Sequence, residues 1–184
     1  VGMVVGAAKG VLGVRDWLYV RKVLKLLLET SKSSKDDRGK YADKIAKNPK
    51  EYRRASITVL EILDRITSAE KAILVGKVFR AYMTEEGITL EQLRYLTEMI
   101  DKAYLSDLEA IRTGFEGNYD NLVNVGIMQP VPAEDIIKHA QEHINRDMGM
   151  SVRGVSSYSL PPNLTRRTGP TPAGMALIRI LKSY

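Results

Sequence analysis

The chain has 184 residues, enough for one domain with a hydrophobic core, and it contains no cysteine. Disulfide bonds and thiolate zinc sites are therefore excluded. The formal net charge of +6 is concentrated at the start, because residues 1–54 carry 14 Lys and Arg against 6 Asp and Glu, a balance of +8. This surplus indicates either an anionic partner for that part (nucleic acid, lipid headgroups or an acidic protein surface) or a solvated basic face.

The first residues, VGMVVGAAKGVLG, place Gly2, Gly6 and Gly10 four residues apart. Glycines at this spacing lie on one helical face and let a second backbone approach closely, as small residues do between membrane helices. The apolar run is shorter than the roughly 20 residues of a simple membrane span. Its basic residues follow the apolar part, unlike those of a secretory signal. The pattern predicts a helix that self-associates, beds into lipid or packs on the rest of the fold.

The same helix is predicted to continue from Asp16 to Glu29 with one apolar face and one charged face. The apolar face consists of Trp17, Val20, Leu24, Leu27 and Leu28, and the charged face of Arg15, Lys22, Lys25 and Glu29. A basic amphipathic helix of this kind lies in a membrane interface, grips a partner helix or forms the outside of a bundle. The interaction residues predicted from the two patterns are Gly2, Gly6, Gly10, Trp17, Val20, Leu24 and Leu27.

The next segments are predicted to be a connection and a helical core. Thr30–Lys40 is polar and aperiodic, which indicates an exposed loop or hinge. A short helix is expected over Tyr41–Lys47, and Pro49 suits the first turn of the helix after it. From Tyr52 to Gly114, apolar residues recur at helical spacing in four consecutive segments. Three Ser/Thr-x-x-Glu/Gln capping boxes separate these segments: Thr67 with Glu70, Thr89 with Gln92, and Ser106 with Glu109. Gly76 lies inside a helix on an apolar stripe, which favours a close packing contact.

After Gly114 the pattern changes to mixed character. Leu122–Met128 is a short apolar run that reads as an edge strand or a helix end, and Pro130 and Pro132 open a predicted helix over Ala133–Met148. Ser151–Leu160 alternates and permits a strand. Thr171 and Pro172 then open a last helix. The predicted fold class is mainly α: a multi-helix bundle with a small C-terminal α+β portion. Its divisions are residues 1–30, 31–50, 51–114 and 115–184.

The ending, Tyr158-Ser-Leu-Pro followed by Thr171-Pro172-Ala-Gly174-Met-Ala-Leu177-Ile-Arg-Ile-Leu181, resembles the close of winged-helix domains. The resemblance covers about residues 106–184, and it implies a first wing strand over Leu122–Ile127. It departs from the family because some thirty residues separate the two wing strands. By this resemblance Arg153, Arg166 and Arg167 would contact nucleic-acid phosphates. The helical part is not assigned to a named family.

The two histidines are His139 and His143, four residues apart on a predicted helix, with Asp147 one turn further. This spacing suits two metal ligands and a third carboxylate. With Glu142 the string also satisfies H-x-x-E-H, the pattern of inverted zinc peptidases, although those enzymes are much larger. An exposed polar helix face explains the same residues. Nucleotide-binding glycine loops and nucleophilic triads are absent from the sequence, so no catalytic residue and no cofactor is predicted.

The leading hypothesis is a non-enzymatic interaction or oligomerisation module, part of a bacterial or phage assembly, that binds a protein partner or itself through the N-terminal helix. One alternative is a nucleic-acid-binding protein of winged-helix type. A second is a peripheral membrane protein that meets an anionic membrane surface through residues 1–28. The expected location is the cytoplasm, including its membrane surface.

Overall fold

A computed structural model of the chain describes residues 13–85, 87–113, 120–131, 135, 138 and 168–183. The elements, in order, are α1 (Val14–Ser31), α2 (Lys35–Lys47), α3 (Pro49–Arg65), α4 (Ala69–Thr84), α5 (Leu90–Lys102), α6 (Leu105–Thr113), α7 (Asp120–Asn124), β1 (Met128–Pro130), β2 (Thr168–Pro170) and α8 (Pro172–Ser183). The two strands pair antiparallel, with Gln129 opposite Gly169. The predicted class, mainly α with a small C-terminal α+β portion, is confirmed.

Local capping explains where several helices begin. Asn48 caps α3 and Pro49 follows in its first turn, while Thr89 and Gln92 form the predicted capping box of α5 with both bonds present. The other two predicted boxes are wrong. The N-cap of α4 is Ser68, whose hydroxyl accepts from the backbone N–H of Lys71 at 3.1 Å, so Thr67 lies one residue too early. Ser106 lies inside α6, one residue after its start, and caps nothing.

The predicted loop over Thr30–Lys40 is also wrong. α1 runs to Ser31 and α2 begins at Lys35, so only three residues connect them. Ser34 starts α2 through a capping box with Asp37: the Asp37 N–H donates to the Ser34 hydroxyl at 3.1 Å, and the Ser34 N–H donates to the Asp37 carboxylate at 3.0 Å. The Ser34 N–H is also the largest cause of a lowered pKa at Asp37. Polar, small residues that read as a loop are here a helix start.

The core is built around α4, which contacts α1, α2, α3, α5 and α8. Buried apolar residues from Leu26 to Leu181 form one cluster, so α1 and α8 share this core with the central helices. Gly76 of α4 faces α1 closely: a Cβ at this position would lie 3.0 Å from the Glu29 Cβ and 3.4 Å from the Leu26 carbonyl oxygen. The glycine therefore permits the close packing of α1 on α4.

The C-terminal elements are joined by a tight contact between a turn and a helix start. Leu122–Asn124 is helical, so the strand expected over Leu122–Ile127 begins only at Met128, after Gly126 with its φ of 79°. Thr171 caps α8 by accepting from the Gly174 N–H at 2.9 Å, and its hydroxyl donates to the Gly126 carbonyl at 2.7 Å. A Cβ on Gly174 would overlap the Ile127 carbonyl, whose carbon would be 2.8 Å away. In this chain the Thr-Pro-x-Gly motif therefore serves packing.

Lysines close the C-terminal ends of four helices. In each case the amine of a lysine on another helix donates to a carbonyl oxygen of the last turn. Carbonyls of the last turn receive no hydrogen bond from an N–H of their own helix. The pairs are Lys22 with Leu63 O of α3 (3.0 Å), Lys44 with Tyr82 O of α4, Lys71 with Asp101 O of α5 (2.7 Å) and Lys77 with Leu181 O of α8 (3.0 Å). Part of the basic composition thus stabilises the bundle from within.

Candidate docking surface

Helix α1 packs on the bundle with the face opposite to its main apolar stripe. Leu26 and Glu29 are its buried residues, and Tyr19 and Val23 are partly buried against the core. At about 100° per residue, these positions and the stripe of Trp17, Val20, Leu24, Leu27 and Leu28 lie on nearly opposite sides of the helix axis. Glu29, predicted on the charged outer face, is only 2 % exposed. In an ordinary outer helix of a bundle the main apolar stripe would face the core; in α1 the face that carries Glu29 does so instead.

The stripe itself faces away from the bundle. Leu27 and Leu28 are 54 % and 62 % exposed, Leu24 and Val20 are 39 % and 37 % exposed, and Trp17 is half-buried. We call these five residues the α1 stripe. Single exposed apolar side chains are ordinary on protein surfaces, whereas a continuous apolar row on one helix face is typical of surfaces that bind a partner or a membrane.

Charged residues flank the α1 stripe unequally. The guanidinium carbon of Arg21 lies 5.8 Å from the centre of the Trp17 ring, a cation–π contact at the edge of the stripe. Lys25 lies one turn further along the same edge. Arg21 and Lys25 make no ion pair within the described ranges. Asp16 is on the other edge, near the start of the helix.

A shallow depression continues the surface from α1 onto α3. It has a volume of about 920 Å³ and lies between Tyr19 and Val20 of α1 and Leu60 of α3. Leu60 is 42 % exposed, so it extends the apolar surface beyond one helix. An exposed ion pair of Arg15 with Asp64, at 3.4 Å, also lines it.

The packed side of α1 is held by polar contacts that sequence reasoning missed. One carboxylate oxygen of Glu29 accepts from the Lys32 amine at 2.6 Å, and the other has no hydrogen-bond partner among the described residues. Burial lowers the pKa of Lys77 on α4, and the attraction of Glu29 partly offsets this. Ser33 is buried beside Tyr41, with 2.7 Å between their hydroxyl oxygens. The contact of Ser33 with Tyr41 and the attraction between Lys77 and Glu29 join segments that meet only in the folded chain, whereas Glu29 and Lys32 are three residues apart and form a local pair.

A second depression, of about 590 Å³, lies between α2, α3 and the end of α4. Its polar floor is internally paired. The Tyr82 hydroxyl donates to Glu51 at 2.8 Å, and the Lys44 amine lies 3.8 Å from the centre of the Tyr82 ring while donating to the Tyr82 carbonyl. Burial raises the pKa of Tyr82 and lowers that of Lys44. Mutual satisfaction of these groups gives them a structural role.

The other predicted site residues lie outside the described ranges. These are Gly2, Gly6 and Gly10 of the glycine pattern, His139, His143 and Asp147 of the metal interpretation, and Arg153, Arg166 and Arg167 of the winged-helix resemblance. These predictions therefore stay predictions. Within the part that the structure describes, no three His, Asp or Glu side chains are grouped as metal ligands would be.

Two further observations bear on the surface. Among the described helices, none combines the length and the apolar character that crossing a membrane requires. Comparison with known proteins gives no match: no family model, no curated protein and no solved structure is significantly similar to this chain.

Proposed function

We propose that the protein is a non-enzymatic helical module that docks on the surface of a lipid bilayer through the α1 stripe. The observation that carries this proposal is the outward orientation of the stripe, opposite to the face that packs on α4. A bilayer accepts such a helix in its plane, with the leucines in the acyl boundary and the rest of the bundle above it. Trp17 at the stripe suits the interfacial region, where amphipathic rings concentrate.

A second copy of the chain is the main competing occupant, and the charges favour the bilayer. In a two-fold antiparallel pair of α1 helices, the edge with Arg21 and Lys25 meets the same edge of the other copy, which places like charges together. Only Asp16 lies on the opposite edge to meet them in a parallel pair. The first twelve residues contain one Lys and no acid, which extends the apolar and basic character towards the N-terminus.

The test is binding of the full chain to vesicles, followed by cosedimentation and by the emission of Trp17, the single tryptophan. We expect the emission to move to shorter wavelength and the protein to sediment with the vesicles. Leu24→Gln with Leu27→Gln should weaken binding by tenfold or more, because a fully buried leucine contributes roughly 1.5–3 kcal/mol. Both side chains are exposed, so the fold should be unchanged.

The matched control is Tyr104→Gln with Met175→Gln, which removes two exposed apolar side chains outside α1. This variant should bind as the unmodified chain does. Absence of binding to every vesicle composition contradicts the proposal. If sedimentation velocity instead shows a dimer that the Leu24/Leu27 variant abolishes, the stripe is occupied by a second copy and the bilayer proposal is wrong.

A further inference from the structure

The edge of the α1 stripe carries two cations, Arg21 and Lys25. Arg21 is exposed and contacts the Trp17 ring, and Lys25 is half-buried one turn later. Neither has a carboxylate partner among the described residues. By contrast, Lys22 on the packed side donates to the Leu63 carbonyl at 3.0 Å, and Lys32 is paired with Glu29 at 2.6 Å. Arg15, the remaining cation of α1, is paired with Asp64 at 3.4 Å.

The positions of Arg21 and Lys25 favour one class of lipid headgroup over another. When the stripe lies in a bilayer interface, the long side chains of Arg21 and Lys25 reach the headgroup layer beside it, as basic side chains at interfaces do. Anionic headgroups in this layer can form ion pairs with Arg21 and Lys25. A zwitterionic headgroup supplies no net charge, so it leaves the two cations uncompensated.

We infer that the docking surface selects bilayers rich in anionic phospholipids, with Arg21 and Lys25 as the selecting residues. This inference rests on the proposed function and names the lipid class of the same site. Each cation held near an anionic membrane surface strengthens binding about fivefold. Two together therefore correspond to a preference of about 25-fold over neutral lipid.

The experiment compares vesicles of phosphatidylcholine alone with vesicles of equal parts phosphatidylcholine and phosphatidylglycerol, using the full chain and cosedimentation. We expect stronger binding to the mixed vesicles and loss of the difference in about 1 M salt, where the screening length is only about 3 Å. Arg21→Gln with Lys25→Gln should remove most of the preference while leaving weak binding to both compositions. Lys50→Gln with Arg53→Gln is the matched control, because it removes two exposed cations at the far end of α3 from Asp64.

The outcomes separate the two proposals. Equal binding to both compositions, unchanged by salt and by Arg21→Gln with Lys25→Gln, overturns the anionic selection and leaves docking on bilayers intact. A preference lost equally in the Lys50/Arg53 control overturns the assignment to Arg21 and Lys25, because overall charge then explains it. Absence of binding to either composition overturns docking itself and the selection with it.

Discussion

At Gly174 the backbone of α8 passes so close to the turn after α7 that no side chain fits. The Thr171 hydroxyl holds the two segments together by donating to the Gly126 carbonyl and accepting from the Gly174 N–H. Glycine is common where a backbone approaches closely, so the sequence motif indicates a tight contact. Its partner, Ile127, lies 47 positions earlier in the chain and could not be named from the motif alone.

Gly174→Ala should lower the free energy of unfolding by about 3 kcal/mol or more, because the added methyl overlaps the Ile127 carbonyl and α8 must move. The control is Gly39→Ala in α2, where a Cβ would meet nothing within 4 Å. There we expect a gain of up to about 1 kcal/mol, from the higher helix propensity of alanine. Urea unfolding followed by circular dichroism measures both. Equal effects of the two substitutions would contradict this account of Gly174.

At the scale of elements, α1 shows what helical periodicity can predict and what it cannot. The helix and its stripe follow from the spacing of Trp17, Val20, Leu24 and Leu27. Which face is buried does not follow, because Tyr19, Val23 and Leu26 form a second apolar row and Gly76 of α4 selects it by close approach. Capping is similarly divided. Thr89 and Thr171 cap their helices as predicted, whereas the boxes predicted at Thr67 and Ser106 are wrong and the box at Ser34 lies in a segment predicted to be a loop.

The end of α5 tests the role of the lysines that close helix ends. Lys71→Met keeps most of the aliphatic volume but leaves the Asp101 carbonyl without its donor, so we expect a loss of about 1–2 kcal/mol in the free energy of unfolding. Lys102→Met changes an exposed lysine on the same last turn and should stay within about 0.5 kcal/mol of the unmodified chain. Chemical denaturation decides between them. A loss at Lys102 as large as that at Lys71 would mean that only charge near the helix end matters.

At the scale of the whole molecule, these lysines show that part of the net charge of +6 is not on a surface free for a partner. Lys44, Lys71 and Lys77 reach into the bundle, and burial lowers the pKa of each. Composition indicated either an anionic partner or a solvated basic face for residues 1–54, yet Lys22 and Lys44 of that part donate to carbonyls of other helices. The sequence cannot reveal these bonds, because the Lys22 bond spans 41 positions and the Lys44 bond spans 38.

The lowered lysine pKa values predict an alkaline rise in stability. Between these values and the ordinary 10.5, the unfolded chain binds more protons than the folded chain, so these lysines make the free energy of unfolding increase with pH. The raised pKa of Tyr82 acts in the opposite sense above 10.0, where the unfolded tyrosine loses a proton that the folded one keeps. Urea unfolding should therefore show stability that rises below about pH 10.5 and falls at higher pH, where only the Tyr82 contribution remains.

Two variants test which groups cause the rise and the fall of stability with pH. Lys71→Met with Lys77→Met should flatten the rise, and Tyr82→Phe should flatten the fall. A rise that survives the double lysine substitution unchanged would mean that other groups cause it. A steady decline of stability from neutral pH upwards would contradict the burial of the three amines.

Chemical labelling of the lysines at the helix ends can measure local opening of the bundle. An amine-reactive acylating reagent can attack Lys71 or Lys77 only after the amine leaves its carbonyl and reaches solvent. Exposed Lys35 and Lys50 need no such opening. The labelling rate at each buried lysine, measured by mass spectrometry, thus reports how often one particular helix end opens: α5 through Lys71 and α8 through Lys77. Each of these lysines is therefore a built-in probe for the opening of one helix end.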